Sequence, residues 1–147
     1  MRQSTRFPAA VHILTMLAAK QNDFMSSDII ARSMDTNRVV VRRLISMLAQ
    51  AGLVSSQAGV QGGARLEKSP KEMTLLEIYE AVEEGSLFRF HNPHPKCPVA
   101  TCVTEDLRKA CDSAEQSLRE QLASKTLADV TRRGTRKMKE IMAAGGL

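Results

Sequence analysis

The residues of this 147-residue chain that could do chemistry fall into two groups. One is a proline-punctuated stretch, His91-Asn-Pro93-His94-Pro95-Lys96-Cys97-Pro98, followed by Cys102 and Cys111. A thiol next to a lysine at a helix start is favoured for reaction with oxidants or electrophiles, and Cys97 sits between Lys96 and a proline suited to a first helical turn. Cys97 also reads as a small cap residue with no signalling part, and Cys102 as its resolving partner or an incidental exposed thiol. His91, His94, Cys97 and Cys102 have spacings from which a loop could build a zinc site, although proline-rich loops commonly carry unliganded histidines. The second group is Asn37, Arg38, Arg42 and Arg43, a carboxamide and three cations of the kind that grip phosphates and read base edges. Nowhere do a nucleophile, a base and an acid share a useful spacing, so no enzyme is expected.

The arginines need a scaffold, and residues Met25 to Leu53 supply one. Ser26 or Ser27 can cap a short helix with Asp28 in its first turn, ending near Met34. Asp35-Thr36-Asn37 is turn chemistry that can also cap the next helix. In that second helix Val41, Leu44, Ile45 and Leu48 recur at i, i+3, i+4 and i+7, one buried stripe. The helical repeat then turns Arg43 almost directly away from the stripe and leaves Arg38 and Arg42 on its flanks. Two readings fit this pattern, a helix-turn-helix whose second helix enters the DNA major groove and an ordinary helical hairpin with solvated arginines. Charge shifts the balance. Residues 1–68 hold nine Lys and Arg against four Asp and Glu, whereas residues 69–147 hold twelve of each, so the net +5 lies wholly in the first half. Such a concentrated cationic surface suits a polyanion.

The surrounding elements read as mainly α with a small β-hairpin wing. Phe7, Ala10, Val11, Leu14, Leu17 and Ala18 form the stripe of a first helix that should pack on the Val41 to Leu48 stripe. Arg2, Ser4, Thr5 and Arg6 precede or open it, where backbone amides and cations could hold a phosphate. Leu53 to Gln57 and Ala64 to Glu67 read as two strands joined by the glycine-rich turn Gly59 to Gly63, the wing of a winged helix-turn-helix. These glycines lack the lysine and following helix of a phosphate-cradling loop. Thr74 and Glu77 make a capping box that starts a further helix, and Phe88 and Phe90 are expected to be buried anchors beyond it. From Pro98 to Ser124 a narrow seam of Val103, Leu107, Ala110, Cys111, Ala114, Leu118 and Leu122 asks for a partner helix. The same helix of a second subunit is the economical choice, giving a two-fold homodimer around Val103 to Leu122. Thr126 and Asp129 cap one more helix, and beyond Gly134 the tail is expected to fray.

The organisation expected is therefore a winged helix-turn-helix domain over 1–84, a connecting loop over 85–98, and a dimerisation helix with a C-terminal helix or tail over 99–147. With 43% hydrophobic residues, no Trp, five aromatic residues and eight Met, the core should be aliphatic. Arg2 and Arg6 before the stretch Phe7 to Ala19 only superficially resemble a leader, because Pro8, His12 and Thr15 interrupt it. No stretch approaches a membrane span, and three cysteines cannot all pair, so a cytoplasmic protein with reduced thiols is expected.

Five segments in order carry a resemblance: NRVVVRRLISMLAQAGLV, GVQGGARL, MTLLEIYEAVE, NPHPKCPV and KTLADV. Together they resemble the Rrf2 family of bacterial winged-helix transcriptional regulators, which includes the IscR and NsrR repressors. The GVQGGA wing, the LFRFH link and the CPV helix entry look most like its YwnA-type subgroup. The resemblance implies a homodimeric repressor on a double-stranded, roughly palindromic DNA operator. Asn37 to Gln50 would lie in the major groove, with Arg2, Thr5 and Ser27 as further contacts and the wing, Gln57 to Arg65, alongside. Arg38 stands where relatives usually have Pro, and Ala58 where many have a wing Arg, which puts minor-groove reading by the wing in question and leaves Gln57, Gln61 or Arg65 as candidate substitutes.

Some members of the family hold an iron-sulfur cluster with three cysteines, which makes Cys97, Cys102 and Cys111 the implied ligands. Spacing opposes the transfer. If the long helix begins at Pro98, Cys102 and Cys111 differ by nine positions and face opposite ways, whereas a start at Thr104 removes the objection. The expectation is no cofactor, with thiol redox sensing at Cys97 as the signal. A cluster-sensing regulator and a winged-helix protein-interaction module that no longer reads DNA are the alternatives.

Overall fold

The computed structural model describes residues 4–20 and 23–146, Thr101 without its side chain. Helix α1 (Arg6–Lys20) is followed by α2 (Ser27–Ser33) and α3 (Arg38–Gln50). A hairpin of β1 (Val54–Gln57) and β2 (Gly63–Leu66) follows, then α4 (Leu75–Val82), the long α5 (Pro98–Ala123) and α6 (Leu127–Ala143). The fold is the expected one, mainly helical with a two-stranded wing.

The core is aliphatic because the sequence offers little else. Ile13 and Leu14 of α1, Ile30 of α2, Val41 and Leu48 of α3, Leu53, and Ile78 and Val82 of α4 are all within 1% of complete burial. Met25 and Met73 are sealed in the same cluster, filling gaps between helix ends. Aromatic residues decorate the edge, where Phe7 and Tyr79 meet edge to face at 5.5 Å. The α3 stripe is buried as its spacing requires: Val41, Leu44, Ile45 and Leu48 range from 0% to 6% exposed.

Strands β1 and β2 pair antiparallel from Val54 with Leu66 to Gln57 with Gly63. Met25 adds a single bridge on the far edge of β2, exchanging hydrogen bonds with Ala64 at 2.9 Å in both directions. Gly63 is required by this contact. Its φ of +148° disfavours other residues, and a Cβ there would enter the Met25 carbonyl.

Two sequence expectations about the second half are corrected. The tail beyond Gly134 does not fray in the structure; α6 runs on to Ala143 and lies along α1. Leu127 is fully buried, Thr131 nearly so, and Met138 and Met142 pack on the core. Gly134 lets the helices approach closely, since a Cβ there would stand 3.3 Å from the Thr15 methyl. Phe88 is not a buried anchor either, being 43% exposed, and Phe90 instead receives the Arg108 guanidinium 4.5 Å from its ring centre. Both differences arise because, among its described side chains, α5 carries no buried one, so the loop before it has no core to enter while α6 returns to one.

The corner between α5 and α6 is stitched to the approach of α4 by backbone hydrogen bonds. Leu75 N–H donates to the Lys125 carbonyl at 2.9 Å, Leu127 N–H to Met73 at 2.8 Å, and Ala128 N–H to Pro70 at 3.0 Å. Both capping boxes are present, Thr74 with Glu77 and Thr126 with Asp129. Glu77 accepts from Lys68 Nζ at 2.5 Å and from Thr74 N–H at 2.9 Å, which holds its carboxyl below the usual glutamate range. A group held low in this way adds stability above its unfolded-state pKa and loses it as pH falls through the folded one. Wild type should therefore melt above Glu77→Gln at neutral pH, and the gap should close on acidification below the usual carboxylate range, read from thermal melts across pH.

Candidate nucleic-acid interface

Cap and turn geometry explain how the polar residues of α2 and α3 are presented. Ser26 caps α2, taking Ile29 N–H at 3.4 Å. The turn into α3 passes through Asp35 at φ 46°, a left-handed conformation that aspartate tolerates. Asn37 then caps α3, its side-chain oxygen accepting Val39 N–H at 2.8 Å. Of the two roles open to Asn37, capping is the one its geometry performs in this structure.

The three arginines of α3 differ in their ties. Arg38 Nη1 lies 3.3 Å from Asp28 Oδ1, with both side chains 57% exposed. An ion pair so open to water is worth at most about 1 kcal/mol, so Arg38 is cheaply released to another anion. Arg42 Nε donates to Ser27 Oγ at 3.2 Å, across the gap between α2 and α3. Arg43 is exposed on the side opposite the buried stripe, as the repeat predicts.

Beside α3 the wing closes a groove of about 970 Å³. Ser27, Arg42, Ser46, Gln50, Gln57 and Val60 are among its lining residues, so α2, α3 and the hairpin meet at one surface. Gln57 and Gln61 are exposed, Gln57 on the groove wall. Arg65 is less available than the sequence suggests. Its guanidinium lies 4.9 Å from the Phe24 ring centre, and its Nε donates to Ser55 Oγ at 3.2 Å. No cation lies between Gln57 and Gly63, and the hairpin tip is instead the fully exposed Val60.

At the start of α1 the expected anion site is already filled from within. Glu83 Oε1 accepts Phe7 N–H at 3.2 Å and Ser4 Oγ–H at 2.6 Å, placing a carboxylate where a phosphate would sit. Thr5 is exposed just before the helix, and Arg2 lies outside the described residues.

Sequence reasoning missed Val39 and Val40, which are 65% and 48% exposed on the outward side of α3 with Arg43. The signal was present in the run Val39-Val40-Val41, of which only Val41 belongs to the stripe. Ser46 and Gln50 were missed because their relevance depends on the wing standing opposite them.

The cysteines are spread along α5, which begins at Pro98. Cys97 is the N-cap of α5, half-buried, with Pro98 next and no capping bond from its side chain. Its N–H donates to the His94 carbonyl at 2.9 Å, while His94 Nδ1 accepts Lys96 N–H at 3.2 Å. Cys102 is exposed and Cys111 half-buried within the same continuous helix. Nine helical residues put their Cα atoms about 13 Å apart and half a turn out of phase. The three thiols therefore do not converge, and among the described residues no three His, Cys, Asp or Glu side chains do.

Residues 3–133 match the Rrf2 family, described as iron-dependent transcriptional regulators. The chain is 43% identical over 129 residues to YwnA of Bacillus subtilis, described as an HTH-type transcriptional regulator, covering 86% of this chain and 95% of that one. A crystal structure described as that of a DNA-binding protein shares 40% identity at a TM-score of 0.72, covering 86% of this chain and 98% of its own. CymR, the global cysteine regulator of B. subtilis, superposes at a TM-score of 0.62 with 26% identity, covering 90% and 98%. Among the described residues no helix is long and apolar enough to cross a membrane. The match over residues 3–133 and the 43% identity to YwnA show that this chain, with its helix-turn-helix, wing and long following helix, belongs to the Rrf2 family of transcriptional regulators, which are not enzymes.

Proposed function

We propose that this chain is a dimeric repressor that inserts α3 into the major groove of a two-fold-related operator. The observation that carries the reading is the outward face of α3. Arg43 stands beside the exposed Val39 and Val40, Arg38 and Arg42 flank it, and every apolar stripe residue points inward. Arginine can meet a phosphate or a guanine edge, and an exposed valine can meet a thymine methyl. Gln57, Gln61 and the serine-lined groove are suited to the adjoining backbone, and the cation-free wing tip argues for phosphate contact through Ser27, Arg38 and Arg42.

Dimerisation is supported by the apolar seam that α5 leaves uncovered. Val99, Val103 and Leu107 are 66%, 56% and 52% exposed, an unusual concentration on one helix. The seam is covered towards its other end, where Leu122 packs on the core. A second copy laid along the exposed end would bury the exposed part of each, worth about 1–2 kcal/mol apiece before the cost of association.

The family's iron dependence meets cysteines that do not fit one cluster, because α5 holds Cys102 and Cys111 on opposite faces. A thiol signal fits better, since Cys97 is half-buried at a helix start beside Lys96 and its side chain makes no capping bond. Peroxide would oxidise that thiol to a sulfenic acid, with water leaving, and change the entry to α5.

Three measurements test the proposal. Binding of promoter fragments should fall steeply with salt, and Arg43→Ala should weaken it by about 1–3 kcal/mol while leaving the fold intact. Salt-insensitive or absent binding by the reduced protein would favour the protein-interaction module. In sedimentation, wild type should be a dimer and Leu107→Glu a monomer that binds the operator poorly; a monomeric wild type would remove the dimer. Peroxide should release DNA from wild type and not from Cys97→Ser, and equal release from both would refute the thiol signal.

A further inference from the structure

We propose that the groove between α1, the Pro70-Lys71 corner and α6 binds a small organic anion with an apolar body. The groove measures about 410 Å³, within the range of small-molecule sites. Its floor is apolar, from Ala18, Pro70 and Ala128, and Lys71, Arg132, Arg136 and Lys139 stand around it.

The cations are the informative part. Taken whole, residues 69–147 are neutral, but the helices divide the charge. Helix α5 carries Glu105, Asp106, Asp112, Glu115 and Glu120 against three cations, whereas α6 carries five cations against Asp129 and Glu140. Arg132, Arg136 and Lys139 are spaced four and three residues apart, so they share one face of α6, and Lys71 approaches them from the loop. Among the described residues, the carboxylate within ion-pair reach of these four is Glu140, 4.0 Å from Arg136 Nε and on the same helix. Asp129, one turn before Arg132, is engaged first by Thr126, whose N–H it accepts at 2.8 Å, and only more weakly by Arg132. Four like charges gathered with so little internal compensation repel one another unless an anion joins them.

The apolar floor decides the class of anion. A phosphate or sulfate would be held by the rim and leave the floor wetted, whereas a carboxylate on a short hydrocarbon or aromatic body satisfies both. The nucleic acid surface proposed above is built on α3 and the wing, whereas this groove is built on α6, which docks on α1. One wall is also the joint where Ala128 N–H bonds the Pro70 carbonyl, so an occupant would stiffen the corner from which α5 departs. Only that regulatory consequence rests on the repressor reading; the binding itself does not.

Calorimetric titration with 2-naphthoate and its neutral isostere 2-naphthamide tests the site on the full chain. One naphthoate should bind per chain, at least about tenfold tighter than the amide, because a charge-assisted contact distinguishes them. Arg132→Gln with Arg136→Gln should weaken naphthoate at least about tenfold. Arg43→Gln should leave it unchanged, and all variants should melt like wild type. Ala128→Leu, which fills the floor, should also reduce binding. No saturable naphthoate binding, or equal binding of acid and amide, would overturn the proposal. So would a double variant that loses affinity for random-sequence duplex while keeping naphthoate, since the patch would then serve nucleic acid.

Discussion

The constraint on which the structure depends is that the stripe of α3 must be dry. Val41, Leu44, Ile45 and Leu48 are each worth about 1.5–3 kcal/mol on burial, several times the exposed Arg38–Asp28 pair. Packing them on α1 and α4 fixes the rotation of α3 about its axis. The direction of Arg43, Val39 and Val40 is then not a separate design choice but the complement of what is buried. Helix α2 and the wing add the flanks of the same surface, held in place by Arg42 on Ser27 and by the Met25 bridge to Ala64.

Elements with a local code were legible in the sequence. The two capping boxes, the stripe of α3, the glycine turn of the wing and the proline start of α5 each depend on residues within a few positions of one another. The structure keeps all of them. What could not be read depends on long-range partners. Glu83 takes the start of α1 from far along the chain, and the Phe24 ring draws Arg65 back from the wing tip. The course of α6 is hidden from the sequence for the same reason. Its charged composition suggests a solvated tail, and only the surface of α1 reveals why Leu127, Thr131, Met138 and Met142 should line up on one side.

The candidate site divides along the same line. The arginines were found because helical phase alone orients them. Val39 and Val40 were hidden inside an apolar run, and Ser46 and Gln50 acquire meaning only once the wing faces them. The cysteines show the converse, where a chemically suggestive count is dispersed by the regularity of the helix that contains it. Charge follows suit, since a half-chain that sums to zero resolves into an acidic helix and a basic one.

The stitched corner between α4 and α6 has one further consequence. Its hydrogen bonds run from peptide to peptide, so they are indifferent to the side chains that occupy Lys125, Leu75 or Pro70 in any descendant sequence. These peptide bonds hold α5 where it meets α6, while the Arg119–Glu80 pair and the Ser86–Glu115 bond tie it to α4 and the loop through surface side chains. On the readings proposed above, substitutions on α3 would change what is read, and substitutions around α6 what is sensed, while the peptide bonds of the corner between them stay in place.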